Sequence, residues 1–325
     1  MSMLARAARR LTPAARRLAP AGGLIAGYVL DRLLGDPPRW HPVAGFGRAA
    51  GWLEQQVYAD DRRRGAVFTV VAVGVPVAAG VLLEHRCRRY PLLTGVLTAA
   101  VTWTVLGGRS LVREAEAVAD HLGAEDLPAA RRQVARLVGR DTTTLDASGV
   151  ARAGVESVAE NSSDAVVAPL LWGAAAGLPG LLGYRAVNTL DAMVGHRSPR
   201  YEQFGWASAR LDDAANWVPA RVAGALAALG AAWIGGSPSE AVAAVRRDAG
   251  AHPSPNAGVV EAAFAGALGV RLGGSNTYAG EVSDRGTLGD GRAPEGGDIA
   301  RSTRLATMVG DAALAVAVVV RLARA

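Results

Sequence analysis

No lysine occurs anywhere in the 325 residues, so all 35 basic side chains are arginine. Without lysine there is no GxxxxGK[ST] phosphate loop, no Schiff-base lysine and no lysine nucleophile. Any phosphate must therefore be held by arginine, backbone N–H groups or a metal. Cysteine is nearly missing as well: Cys87, alone among the arginines of EHRCRRY, excludes an intrachain disulfide and a cysteine-rich metal site. The five histidines (His41, His85, His121, His196, His252) show neither HExxH nor paired spacing, which argues against a zinc hydrolase. Aromatics make up only 5%, and the net charge of +6 is scattered, with no zinc-finger spacing and no RNP-like motif. Nucleic acid is not expected as a partner.

What is present is apolar and small. Half the residues are hydrophobic and 40 are glycine, a composition that suits helix packing in a bilayer. Apolar segments at 66–83, 91–108, 165–183, 222–236, 257–270 and 305–320 are membrane candidates, several near the about 17–20 residues a span needs. Arg62 to Arg64 and the charged stretch after Gly108 place both flanks of the first hairpin on the cytoplasmic side. Residues 1–23 form a basic N-terminal arm, and 24–325 one membrane-embedded domain. Between Arg109 and Asn161 apolar residues recur at helical spacing with Asp or Pro near the starts, which predicts helices outside the lipid. No segment alternates long enough for a sheet. The expected fold class is therefore all-α: a polytopic integral membrane helical protein with amphipathic cytoplasmic helices. The segment 165–183 carries Pro169, Pro179 and several glycines, with polar motifs at both ends. A shared site for those motifs requires a broken or re-entrant helical segment there, which lipid tolerates only when the freed backbone is covered.

The chemistry-bearing residues cluster around that segment. Glu156, Glu160 and Asp164 follow each other at i, i+4 and i+8, an acidic ridge with Asn161 beside it. Arginines such as Arg152, or a hard cation such as Mg²⁺, would neutralise it. Further on, Asn188 and Asp191 share a helix face, as do Asp212 with Asn216 and Arg210 with Asp213. This mixture suits a Mg²⁺–phosphate centre, and equally an ion-pair network tying helices together. Trp206 and Trp217 suit an interfacial belt. Two smaller groups are Asp36, Arg39 and His41, and His252, Asn256 and Glu261. Glu261 lies within an apolar helix, where an ionisable group is expensive and so a functional candidate.

The stretches LDRLLGDPPRWHPVAGFGR, LVGRDTTTLD, ARAGVESVAENSSDAVVAPLLWGAAAGLPGLLGYRAVNTLDAMVGHRSPRYEQFGWASARLDDAANWVPAR, HPSPNAGVVEAAFAGALGVRLGG and NTYAGE resemble, in order and over about Leu24 to the C-terminus, the adenosylcobinamide-phosphate synthases, the CobD/CbiB family of cobalamin biosynthesis. The arm before Leu24 has no counterpart, and Ser162, Ser163 and Ala165 replace an expected Thr, Ser and Gly. The resemblance implies a multi-pass enzyme of the cell membrane with its active site on the cytoplasmic side. It would join adenosylcobyric acid to (R)-1-amino-2-propanol O-2-phosphate, or to the free aminoalcohol, with ATP and Mg²⁺. Membrane lipid and other cobalamin-pathway enzymes are the implied partners. From chemistry and motif position, Glu156, Glu160, Asp164, Asp191 and Asp213 are candidate catalytic groups. Glu160, Asp164, Asp191 and Asp213 are the candidate Mg²⁺ ligands. Arg140, Arg210 and Arg221 are candidate phosphate clamps, and Asn161, Asn188, Asp212, Asn216, His252, Asn256, Glu261, Asn276 and Tyr278 line the substrate. The rival readings are an AmpE-like regulatory membrane protein without ligase activity and a small-solute transporter.

Overall fold

Among the described residues five helical stretches are long and apolar enough to cross a bilayer: Arg62–Cys87, Pro91–Gly123, Ala147–Gly195, Trp206–Ile234 and Gly296–Ala323. They come from a computed structural model, which describes residues 13–37, 41–196, 198–278 and 281–324; Arg39 lies outside them. The protein is all-α and polytopic, and its only sheet among the described residues is one two-stranded hairpin. It forms two compact units, Met1–Gly107 with Ala168–Ala215 and Leu314–Ala325, and Gly108–Val167 with Asn216–Ala313.

The first unit opens with α1 (Pro13–Leu34), α2 (Pro42–Val57), α3 (Arg62–Cys87) and α4 (Pro91–Val105). The boundary expected after residue 23 falls inside α1. There Gly23 and Gly27, one turn apart, meet Thr98 and Thr102 of α4 so closely that a β-carbon on either glycine would overlap a threonine. Such small-residue seams bring helices together where lipid supplies no hydrophobic drive. Helix α3 is capped by Asp61, whose carboxylate accepts the Arg64 N–H at 2.9 Å. Its inner face carries Phe68, Thr69, Ala72 and Gly80, and its outer face exposes Val67, Val70 and Val75. Small and polar groups inside with branched aliphatics outside is the pattern expected of a lipid-facing helix.

The third apolar stretch does not cross straight. Helix α8 (Ala168–Leu190) breaks at Gly177, whose φ of 65° and ψ of −143° lie in a region only glycine occupies without strain. Gly173 abuts Leu181, Gly180 abuts the Trp172 carbonyl, and Ala168 joins one buried cluster with Tyr184 and Val187. In a straight helix, residues eight apart stand about 12 Å from each other. The segment is thus a re-entrant helical hairpin, its apex beside Glu84, which pairs with Arg321 at 3.7 Å. Its two ends lie on one side of the first unit. The Trp172 indole secures the first limb by donating to the Ala215 carbonyl at 3.0 Å.

The second unit is built on α7 (Ala147–Ser162), capped by Asp146 through the Gly149 N–H at 2.7 Å. Val150, Ala151, Ala153, Val155, Val158 and Ala159 are all buried, so α7 is covered all round. Around it pack α5 (Gly108–Gly123), presenting Leu111, Ala115 and Val118, and α6 (Leu127–Val134). Helix α9 (Trp206–Gly230), which begins in the first unit, leads to α10 (Pro238–Asp248) and α11 (Ala257–Leu268); then come β1 (Leu272–Tyr278) and β2 (Glu281–Leu288), and α12 (Gly296–Ala323) runs back into the first unit. Two sequence expectations change here. The candidate span 257–270 is a 12-residue helix, about 18 Å long and short of the roughly 30 Å hydrocarbon core. Where no sheet was expected, Leu272–Tyr278 and Glu281–Leu288 pair antiparallel, bulged between Gly273 and Ser275.

Gly177→Ala is expected to lower the apparent melting temperature in detergent, because the substitution strains the backbone by about 1–3 kcal/mol and drives a methyl into the Glu84 carboxylate. An unchanged melting temperature contradicts the hairpin.

Candidate active site

The acidic ridge read from the sequence lies in the second unit, on α7 and the π-helical turn Ser163–Val167 that follows. Glu156 is 5% exposed. Arg140, from the LVGRDTTTLD loop, reaches its Oε2 at 2.7 Å, with both side chains almost out of solvent. The Gly273 N–H at the start of β1 donates to its Oε1 at 2.8 Å. Arg152, one turn earlier on α7, stands 3.9 Å from the same oxygen and donates to the Gly273 carbonyl. Arginine therefore neutralises this carboxylate, and Arg140, expected as a phosphate clamp, is committed to it instead.

Glu160 follows one turn on, half-buried, with Arg140 and Arg285 of β2 as its electrostatic neighbours. Asn161 turns back on the helix, its amide donating to the Ser157 carbonyl at 2.9 Å. Asp164 is half-buried within the π-helical turn. From α11 comes Glu261, fully buried and with neither carboxylate oxygen hydrogen-bonded. His252 faces it, Nε2 to Oε1 at 3.7 Å, while its Nδ1 accepts the Ser254 N–H at 3.0 Å.

Burial, and then the charges of Glu156 and Glu160, push the Glu261 carboxyl well above the usual carboxylate range. Burial, helped by the positive charge of Arg285, pulls His252 down to about 4. Both shifts favour the uncharged forms, the protonated acid for Glu261 and the neutral imidazole for His252. At 3.7 Å the pair is also too long for a hydrogen bond. The ridge carboxylates Glu156 and Glu160 face three guanidinium groups, those of Arg140, Arg152 and Arg285.

The other expected site residues are arranged as follows. Arg221 lies 4.3 Å over the Trp217 ring and donates to Asn256 Oδ1 at 3.1 Å; Asn216 and Asn256 are buried. All of these belong to the second unit, whereas Asn188, Asp191, Arg210, Asp212 and Asp213 belong to the first. There Arg210 approaches Asp213 at 3.5 Å, Arg185 approaches Asn188 at 3.5 Å, and Asp191 opens a second π-helical turn, Asp191–Gly195. Asn276 and Tyr278 lie on β1, with side chains outside the described residues. Arg285 was missed by the sequence reading, since a single arginine in SDRGTLGDG carries no periodicity to mark it. Among the described residues no three His, Cys, Asp or Glu side chains are grouped as ligands of one ion. The donor set instead fits a Mg²⁺ that arrives with a polyphosphate and takes one or two protein carboxylates, and Glu160 and Asp164 are the pair in the second unit suited to hold it.

The shifted pair gives a signed pH dependence. A carboxyl raised in the fold keeps a proton that the unfolded chain releases, so its contribution falls as pH rises above the ordinary value of 4.5. Glu261→Gln removes that loss and is expected to raise the apparent melting temperature more at pH 8 than at pH 5. His252 acts in the opposite sense: its contribution is whole above pH 6.5 and declines as pH falls toward 4. Thermal melts of both proteins across this range test the assignment, and parallel curves would contradict it.

Residues 24–306 match the family described as CobD/Cbib protein. A Mycobacterium tuberculosis protein named cobalamin biosynthesis protein CobD is 53% identical over 304 residues, covering 93% of this chain and 96% of the relative. Proteins of the same name from Geobacter metallireducens and Chromobacterium violaceum are 45% and 44% identical, covering 82% and 85% of this chain and 86% and 89% of their own lengths. No solved structure matches the chain. A family match over most of the sequence, with relatives at this identity along nearly all of it, makes the chain a member of the CobD/CbiB family.

Proposed function

We propose that the chain is an ATP-dependent amide synthase of cobalamin biosynthesis, joining the free propionate of adenosylcobyric acid to (R)-1-amino-2-propanol O-2-phosphate or to the free aminoalcohol. The names of its relatives place those proteins in the same pathway. The observation that carries the reading is the arginine–carboxylate cluster of Arg140, Glu156, Glu160, Glu261 and Arg285, buried or half-buried, in which all but Arg285 come from the stretches that resemble the family. Burial raises the worth of each charge placed there.

A carboxylate is a poor electrophile, so the reaction needs a leaving group on its oxygen. The propionate attacks ATP at phosphorus, giving either an acyl phosphate and ADP or an acyl adenylate and pyrophosphate. The amine then adds to the acyl carbon, and phosphate or AMP departs. Mg²⁺, held by Glu160 and Asp164, would supply charge neutralisation to the phosphates. Arg285 would face the negative charge of the nucleotide or the acyl intermediate. Alternatively, with Asp164 alone on the ion, Glu160, at the half-exposed end of the ridge, would be the base that takes a proton from the incoming ammonium. Glu156 is a positioning residue: it holds Arg140, Arg152 and the start of β1. A cytoplasmic site at the cell membrane gives access to ATP, and the other enzymes of the pathway are natural neighbours.

Purified protein in detergent, given adenosylcobyric acid, aminopropanol phosphate, Mg²⁺ and ATP, is expected to yield the corrinoid amide with stoichiometric ADP or AMP. Glu160→Gln is expected to cut kcat about 100-fold or more, the range of a lost general base, while still inserting in membranes. Absence of the amide in the parent would reject the function, and a parental rate in Glu160→Gln would remove that residue from the chemistry.

A further inference from the structure

A cavity of about 250 Å³ opens beside the first turns of α7 in the second unit, apart from the buried acids. Its charged lining is Arg152, Arg271 and Asp146, with Ser148 and the backbone of Gly273 and Gly274. The α7 N-terminus supplies little here. Asp146 already takes the Gly149 N–H at 2.7 Å, and the Ser148 hydroxyl donates to the Pro294 carbonyl at 2.9 Å. The positive charge comes from the two guanidinium groups. Arg152 is anchored by the Gly273 carbonyl and Glu156. Arg271 is exposed, with no described carboxylate at ion-pair distance.

We propose that this cavity binds a small phosphomonoester, its dianionic group set between Arg152 and Arg271. Three observations favour that class. Two guanidinium groups line the cavity against one carboxylate, which is itself engaged as the helix cap; Arg152 is shared with Glu156, Arg271 has no such ion pair, and planar N–H forks suit phosphate oxygens. The volume equals about eight waters at about 30 Å³ each. That is below the roughly 300–1,000 Å³ of drug-sized sites, a size suited to a small anion. The floor is Gly273–Gly274, both at positive φ, 77° and 80°. A β-carbon on Gly274 would stand 3.1 Å from Arg152 Nη1, so glycine keeps that guanidinium open to the cavity.

The position along α7 names the rest of the ligand. Arg152, Glu156 and Glu160 lie at i, i+4 and i+8, about 6 Å of rise per step. A phosphate held at Arg152 thus has the acidic side of α7 next along the helix axis, outside the cavity lining, and a cationic group beyond the phosphate would point that way. A phosphorylated aminoalcohol has this charge order. Its identification as the amine substrate rests on the function proposed above, whereas the phosphomonoester site does not.

Calorimetric titration of the full chain in detergent tests the site with O-phosphoethanolamine, ethanolamine and ATP as separate probes. O-phosphoethanolamine is expected to bind, and ethanolamine at least about tenfold more weakly. Arg271→Gln, a surface change, is expected to weaken O-phosphoethanolamine about 10- to 100-fold and leave ATP unaffected. Thr287→Trp, which fills the cavity from the exposed side of β2, should act in the same direction. O-phosphoethanolamine binding that is insensitive to both variants overturns the site, as does an equal loss of ATP binding in Arg271→Gln. The binding measurement needs no turnover. Amide synthesis with Arg271-independent phosphate binding would defeat the site alone; Arg271-dependent binding in a chain that makes no amide would defeat the function and leave the site intact.

Discussion

Burying the Glu156 carboxylate within α7 demands an opposite charge at contact distance, and in a chain without lysine a guanidinium supplies it. Arg140 meets it at 2.7 Å, and the consequences spread through the second unit. The loop after α6 is drawn onto α7, and the Gly273 N–H ties the first strand to the same carboxylate. Arg152 stays beside the cavity because the Gly273 carbonyl and Glu156 hold it there. Related pairings recur nearby. Buried Asp298, at the start of α12, takes both Arg292 nitrogens at 2.8 and 2.9 Å and Arg301 at 3.0 Å. Asp248 takes Arg247 and the Gly289 N–H. Arginine forks, each able to hold two oxygens, staple loops to helices that a point-charge ammonium would fix less firmly.

The first unit answers to a different solvent. Its seams are glycine against threonine and its outer faces are valine and leucine, because helices in lipid gain from close approach rather than from hiding apolar surface. The break at Gly177 is permitted by the same logic. The freed backbone is covered by Gly80 and Glu84 of α3, so the apex does not present bare carbonyls to hydrocarbon.

Much of this was legible in the residues. The spans showed as apolar runs, and the acidic ridge showed because an i, i+4, i+8 spacing survives on any helix. The re-entrant hairpin followed from Pro179, the glycines and the polar motifs at both ends. The partners were not legible. Arg140 reaches Glu156 across a loop, Gly273 reaches it from 117 positions away, and Arg285 sits in a stretch without period. Read alone, Arg140 looked like a free phosphate clamp because sequence gives a charge but not its counter-charge. The strand pair escaped notice because glycine-rich text does not alternate. The 257–270 segment is apolar yet short for a span, and the helix ends at Gly269, whose φ is 69°.

The central claim is that one buried arginine–carboxylate contact organises the second unit, and a double-mutant cycle on Arg140 and Glu156 measures it directly. With Arg140→Gln, Glu156→Gln and the double variant unfolded in detergent, each single change is expected to cost about 3–5 kcal/mol. The double is expected to cost clearly less than their sum, with a coupling of about 1–3 kcal/mol. Strictly additive effects, or single variants as stable as the parent, would contradict the account.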